Sequence, residues 1–275
     1  MSNHNSILLI DPAFDPEVAP SCCLLVKIGL DHLSYAIINK ESNRIHVVFD
    51  EQECENVGKK FSDRLASDSH LSLPYREVKI AVATENKIDV PLALYQEEDS
   101  SAYSQFFPAP HTGNLYAYAQ RHFGLVTLFT LPNAIDQLLT HEFAKSKNLH
   151  ATAGLLSIAE RVGPNAFIFD FSALSFTVIY VLNGKLIFQQ SYEIENISEF
   201  NYFLLLIINQ LNIVAREVTV YLSGIIHQGD SRYECLTKYF ETLRFIMIDQ
   251  RINQEVLEDM PAHYYSSLLA LDQCE

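Results

Sequence analysis

The sequence is short of positive charge. Its 19 lysines and arginines face 34 aspartates and glutamates, a formal net charge of −15. Phosphate backbones are gripped by clustered Lys and Arg, so this balance speaks against nucleic-acid binding and against anionic membrane surfaces. The longest basic run is Lys59-Lys60. Cysteine is also scarce: Cys22, Cys23, Cys54, Cys235 and Cys274 are odd in number and contain no C-x-x-C pair. They read as reduced thiols of a cytosolic chain, not as a disulfide framework or a thiolate zinc site. The longest strongly apolar run, Phe203 to Ile208, is far short of the roughly 20 residues that span a bilayer. The opening Met1-Ser-Asn-His-Asn-Ser6 has no basic n-region and no small-residue cleavage site. A cytoplasmic protein without membrane insertion is expected.

The chain has 275 residues, 48% of them hydrophobic and 19% charged. That suits one large globular domain or two moderate ones, with a core that needs no staples. Residues 1–22 read as a proline-bearing leader that packs loosely or adds an edge strand. Three short strands follow, at Cys23 to Gly29, Leu33 to Ile38 and Arg44 to Phe49, separated by turn signals. A helix comes next. Asp50 and Glu53 have capping-box spacing, and Cys54, Val57, Phe61 and Leu65 share a helical face. Val78 to Ala83 reads as a buried strand.

The plan then recurs. Asn165 to Ser172, Ser175 to Leu182 and Lys185 to Tyr192 read as strands, with Asn183-Gly184 as a two-residue hairpin turn. Asn196 caps a helix with Glu199 three residues on, and Phe200, Phe203, Leu204, Ile207, Ile208 and Leu211 form its apolar stripe. Val218 to Leu222 closes the unit. A βββαβ unit thus lies near residues 23–83 and again near 165–223, and Val26 to Tyr35 aligns without a gap on Phe169 to Val178. The halves divide as 23–150 and 151–275. Leu125 to Thr130 reads as the last sheet strand of the first half, Pro132 as the first turn of a helix, and Thr152 to Val162 as a connecting helix.

This doubled unit, with a tight hairpin after each first strand, resembles the actin-like ATPase (ribonuclease H-like) α/β fold of two lobes and a cleft. It is similar to the branch holding PilM, FtsA and GspL, and most of all to the DUF3822 family of Bacteroidetes proteins, from about Leu24 to Leu271. In actin-like ATPases two Asp-x-Gly hairpins clamp phosphates, the glycine admitting the phosphate and the aspartate holding hydrated Mg²⁺. The resemblance therefore points to Lys27, Gly29 and Ser34 in the first hairpin, Asp170, Ser172 and Ser175 in the second, and Gly224 in the adenosine motif Leu222-Ser223-Gly224-Ile225. The match is degenerate. Lys27 stands for the first aspartate, Ser172 for the second glycine, and one of two adenosine-motif glycines remains. The connecting helix begins His150-Ala-Thr-Ala153, without the water-orienting Gln or Glu. Phosphoryl transfer is almost wholly positioning and charge stabilisation. The implied protein is a non-catalytic pseudo-ATPase, a scaffold or interaction module with a protein partner and no bound cofactor. The alternative is a switch that binds ATP–Mg²⁺ with little or no hydrolysis.

Other constellations carry less. The ten histidines are scattered, and His141-Glu142 has Lys145 where a zinc motif needs its second histidine. Ser223-Gly224 lacks the flanking glycine of a nucleophile elbow. Glu97-Glu98-Asp99 reads as a solvated loop. Tyr95, Tyr103, Phe106 and Phe107, in the long segment from Leu92 to Pro110, either tuck onto the core or form a partner-binding surface.

Overall fold

The computed structural model describes residues 5–110, 113–247 and 249–274. In the first half, β1 (Ser6–Ile10) precedes β2 (Cys22–Ile28), β3 (Leu33–Asn39) and β4 (Arg44–Glu51). Then come α1 (Val57–Ser67), β5 (Glu77–Val82), β6 (Lys87–Pro91), α2 (Ser100–Tyr103), β7 (Leu115–Gln120) and β8 (Leu125–Thr130). The half ends with α3 (Asn133–Glu142), β9 (Lys147–His150) and the connecting α4 (Ala153–Val162). The second half holds β10 (Ala166–Phe171), β11 (Ser175–Leu182), β12 (Lys185–Glu193), α5 (Ile197–Gln210), β13 (Thr219–Gly224), α6 (Ser231–Thr237), β14 (Thr242–Phe245) and α7 (Ser266–Leu269).

Two sheets repeat one order. The first runs β1-β4-β3-β2-β5-β9 and the second β12-β11-β10-β13-β14. Counted within each unit, both read third, second, first, fourth, fifth. The meander pairs are antiparallel, and the helix-linked strands pair parallel, because a crossover helix returns the chain in the same direction. β2 is buried at every residue, as expected of a strand covered on both faces.

The elements stack in five layers. α1 and α3 cover one face of the first sheet through Val57, Phe61, Ile135 and Leu139. α4 lies between the sheets, its Leu155, Leu156, Ile158 and Ala159 packing on Ile168 and Ile179. α5 and α6 close the far side, where Phe167, Phe169, Phe176 and Phe200 form an aromatic core. Phe176 and Phe200 meet edge to face at 5.1 Å, a favoured geometry for ring quadrupoles. The inner face of the first sheet is completed by the end of the chain: Leu257, Tyr265, Leu268, Leu269 and Leu271 pack on Cys23, Leu25 and Ala36.

The leader supplies an edge strand, β1, paired antiparallel with β4. Asn183 and Gly184 both take positive φ (51° and 73°) in the hairpin turn. Asn196 Oδ1 accepts from the N–H groups of Ser198 and Glu199, capping α5. Two expectations are corrected. Asp50 does not cap α1: β1 and β3 pair with Asp50 and Glu51 on both sides, so the backbone stays extended there. The helix instead begins at Asn56, whose Oδ1 accepts from Lys59 N–H at 2.9 Å. Leu125 to Thr130 is also not the last strand of the first sheet. It is the centre of a separate three-stranded sheet, β6-β8-β7, reached through a turn in which Gly124 adopts φ +64°. The last strand of the first sheet is β9.

The central crossing depends on one glycine. A Cβ on Gly154 of α4 would lie 2.2 Å from the Ser267 carbonyl oxygen of α7. Gly154→Ala is expected to cost about 1–3 kcal/mol through overpacking. Gly58→Ala in α1, where a Cβ would find ordinary contact with Ile135 at 3.5 Å, is expected to stabilise by about 0.5–1 kcal/mol. Denaturant melts of the two variants check the contrast.

Candidate functional site

The first strands of the two units run toward each other and end in hairpins that meet. Lys27, next to last in β2, and Asp170, next to last in β10, occupy equivalent positions. Lys27 Nζ lies 2.7 Å from Asp170 Oδ2, with side-chain exposures of 10% and 6%. Lys27 Nζ also donates to Ser267 Oγ at 2.8 Å. Burial alone would raise the Asp170 carboxyl, but the charge and hydrogen bond of Lys27 outweigh it and hold the group below the ordinary carboxylate range.

The second hairpin is filled by the first. Asp31 is buried and takes the donors that line the turn after β10. Ser172 Oγ and Ser175 Oγ donate to Asp31 Oδ1 at 2.7 and 2.8 Å, and the Leu174 N–H donates to Oδ2 at 2.7 Å. The Ala173 N–H donates to Gln52 Oε1 at 3.0 Å. Burial pushes the Asp31 carboxyl up. Hydrogen bonds from His32, Ser172 and the Leu174 N–H more than offset this and hold it well below the usual range. Two hydroxyls and one backbone N–H around one short turn form an anion cradle. Here the anion is the chain's own carboxylate.

The first hairpin is filled as well. A Cβ on Gly29 would sit 2.1 Å from His32 Cε1, so this glycine admits the His32 ring. Gly224 (φ +77°) answers a different need: its Cβ would lie 2.0 Å from the Phe171 carbonyl oxygen, where β10 and β13 end together. Arg232 braces the second hairpin from below, donating from Nη1 to Ser172 O at 2.7 Å and from Nη2 to Ile225 O at 3.1 Å.

Lys27, Ser34, Asp170, Ser172 and Gly224 line one cavity of about 20 Å³ between the hairpins, room for about one water. Gly29 and Ser175 stand behind this lining, against His32 and Asp31 respectively. Asp50 and Gln52 line it too. Gln52 Nε2 donates to both Asp50 oxygens at 2.9 and 3.0 Å, and burial pushes the Asp50 carboxyl up. Just before α4, His150 ends β9, and its Nδ1 lies 2.8 Å from Thr152 Oγ1. Burial lowers its pKa to about 3, so it is neutral.

The chain matches the family described as "protein of unknown function (DUF3822)" over residues 11–243. It belongs to that family. Among solved structures, it is similar to a Bacteroides thetaiotaomicron protein of actin-like ATPase fold and unknown function, with a TM-score of 0.74 at 16% identity, covering 95% of this chain and 99% of that one. It is also similar to PilM of the PilM–PilN type IV pilus biogenesis complex, at 0.57 and 13%, covering 91% and 97%. The ethanolamine utilization protein EutJ from Carboxydothermus hydrogenoformans follows at 0.52 and 8%, covering 97% and 93%. No curated protein matches the sequence. The DUF3822 chain therefore has the actin-like ATPase fold.

Lys27 and Asp170 stand out in the sequence, but the bond between them does not. Nothing local in the sequence marks Asp31, His32 or Gln52 as part of the site, nor Ser267, which reaches it across some 240 positions of the chain. Of the aromatics between Leu92 and Pro110, Phe107 is buried, Tyr95 and Tyr103 stack at 6.2 Å, and Phe106 is 67% exposed. Among the described residues no cluster of three His, Cys, Asp or Glu could hold a metal ion.

Removing one partner of a buried ion pair strands the other charge. Lys27→Met is expected to cost about 3–5 kcal/mol, and adding Asp170→Leu should recover much of that loss. Asp31 and Asp170 have folded-state pKa values below the ordinary 3.8. Their stabilisation is therefore present above that value and lost as pH falls below it. The upward-shifted Asp50 acts in the opposite sense. The melting temperature is expected to drop as pH falls from about 4 to about 2, and to drop less in Asp31→Asn. Thermal scans across that range check this.

Proposed function

We propose that this DUF3822 protein is a non-catalytic actin-like protein, a pseudo-ATPase that works as a scaffold or interaction module. The observation that carries the reading is the filled clamp. The donors of the second hairpin are spent on Asp31 and Gln52. The place where two carboxylates would share a cation holds the Lys27–Asp170 pair. The remaining cavity, about 20 Å³, is far smaller than a nucleotide pocket of several hundred Å³. Triphosphate chemistry would need all three features undone together.

Support for an interaction role comes from PilM, whose structure was solved as a PilM–PilN complex. A cytoplasmic setting belongs to the same reading. It is supported by the five cysteines, all buried and free. The competing reading is a nucleotide switch, in which ATP–Mg²⁺ displaces Asp31 and draws the lobes together.

Thermal-shift and calorimetric titrations with ATP, ADP and GTP, with and without Mg²⁺, separate the two. No change in melting temperature is expected at millimolar nucleotide. A ligand present at 100 times its Kd would add about 2.7 kcal/mol, or roughly 5–10 °C for a chain of this size. A rise of that order in the wild-type protein would replace the pseudo-ATPase reading with the switch.

A further inference from the structure

The two sheets share one strand order, but only in the first is the third strand covered along its outer side. In the first unit the third strand, β4, is paired along its outer edge by β1, from Ser6 opposite Glu51 to Ile10 opposite Val47. In the second unit the third strand, β12, is itself the edge of its sheet. We propose that β12 accepts an added strand from a partner protein, an extended cationic segment, as β4 accepts β1. This deepens the interaction reading by naming the surface and the class of ligand.

The backbone of β12 is prepared for such a strand. The Ile194 N–H donates to Leu174 O. In the antiparallel register with β11, this turns Tyr192, Gln190 and Phe188 toward β11 and leaves Glu193, Ser191 and Gln189 facing outward. None of these three outward N–H groups has a partner among the described residues. The strand is nine residues long, with no proline and no charge between Lys185 and Glu193. Edge strands are ordinarily blunted by shortness, charge or proline. Of the other edges, β9 and β14 are four residues long, β6 ends in Pro91, and β1 and β7 are shorter than β12 at five and six residues.

There is space beside it. A cleft of about 830 Å³ is lined by every residue from Leu186 to Ser191. Neighbouring side chains in a strand point to opposite faces, so a continuous lining means that the edge itself opens onto the cleft. The opposite wall is another edge strand, β6, through Lys87, Ile88 and Asp89. One side-chain bond crosses the gap, from Gln189 Nε2 to Asp89 Oδ2 at 2.5 Å. Gln189 Oε1 is buried without a hydrogen-bond partner among the described residues, an acceptor waiting for a donor.

Charge selects the occupant. Glu85 and Glu193 line the cleft, Asp89 is paired with Lys87 at 2.7 Å, and the chain as a whole carries −15. An acidic cleft on an acidic protein favours a basic segment and repels a second copy of the same chain. Backbone pairing would supply affinity, and alternate side chains the specificity, as in strand addition generally.

The test follows amide hydrogen exchange by NMR in the full-length, isotope-labelled protein. The probe is the acetylated, amidated peptide Lys-Thr-Ile-Lys-Leu-Lys-Ile-Thr-Lys, matched to the nine residues of β12. In the free protein the amides of Gln189, Ser191 and Glu193 should exchange fast, and those of Phe188, Gln190 and Tyr192 slowly. Saturating probe should slow the three outward amides by about tenfold or more. A probe with Glu in place of every Lys, and one N-methylated at alternate residues, should leave them unchanged. Ser191→Pro, which removes an outward N–H together with the Ser191–Thr177 hydroxyl contact, should abolish the effect and leave exchange at Phe188 as it was, whereas Ser191→Ala, which removes the hydroxyl contact alone, should keep the effect. The proposal is overturned if the outward amides are protected without probe. It also fails if their protection rises with protein concentration, which would place a second copy on the edge, or if millimolar probe changes nothing. Nucleotide binding would overturn the filled clamp and leave this result untouched.

Discussion

Because the first strand of each unit ends against the other, Lys27 and Asp170 meet at 2.7 Å with both side chains largely out of water. Duplication brings equivalent positions face to face. Two carboxylates there would repel unless a cation lay between them. In this chain one of the two positions is itself the cation, so the charges cancel within the protein. The surrounding structure follows from that cancellation. The hairpins can close to hydrogen-bonding distance, Asp31 reaches the donors of the second hairpin, and Ser267 adds a third part of the chain to the same ammonium. A buried ion pair is a poor source of net stability, because desolvation consumes most of the attraction. Its value here is register: it joins the two units at one point.

Much of the frame was legible in the sequence. The short apolar runs at Asn165 to Ser172 and Ser175 to Leu182, the Asn183-Gly184 turn and the Asn196 cap are local signals, and local signals survive folding. What escaped had no local cause. β9 is Lys-Asn-Leu-His, with one aliphatic residue and no periodicity, and it joins the sheet only because β5 offers it a parallel edge. Leu125 to Thr130 has the right composition for any buried strand, and composition does not say which sheet a strand enters. Asp50 has a good capping pattern, which lost to a ladder held on both sides by β1 and β3. The site divided in the same way. Lys27 and Asp170 stood out as departures from a motif, each on its own hairpin. Their complementarity is a fact of tertiary structure, as are the reach of Asp31 across the cleft and of Ser267 from the far end of the chain.

Sixteen per cent identity to the Bacteroides protein accompanies a TM-score of 0.74, so the frame tolerates near-complete replacement of its residues. Five layers with alternating apolar faces are enough to specify it, provided that volume and pattern are kept. The hairpins are held to a stricter standard. Gly29 makes room for an imidazole and Gly224 for a carbonyl oxygen, so each is needed for packing whether or not a nucleotide is ever present. A retained motif residue is weak testimony to a retained activity.

The end of the chain has a consequence for how the molecule is made. Lys79 donates to the carbonyl oxygens of Asp272 and Cys274, Lys40 pairs with Asp272, and Leu268, Leu269 and Leu271 seal the inner face of the first sheet. During translation that sheet emerges early, but its apolar underside stays uncovered until the whole second unit has left the ribosome. Contacts of such long sequence separation form slowly, and exposed apolar sheet surface is where nascent chains aggregate. The first unit therefore depends on residues made after the second unit, and a product stalled before Leu257 would present the face of Cys23, Leu25 and Ala36 to water.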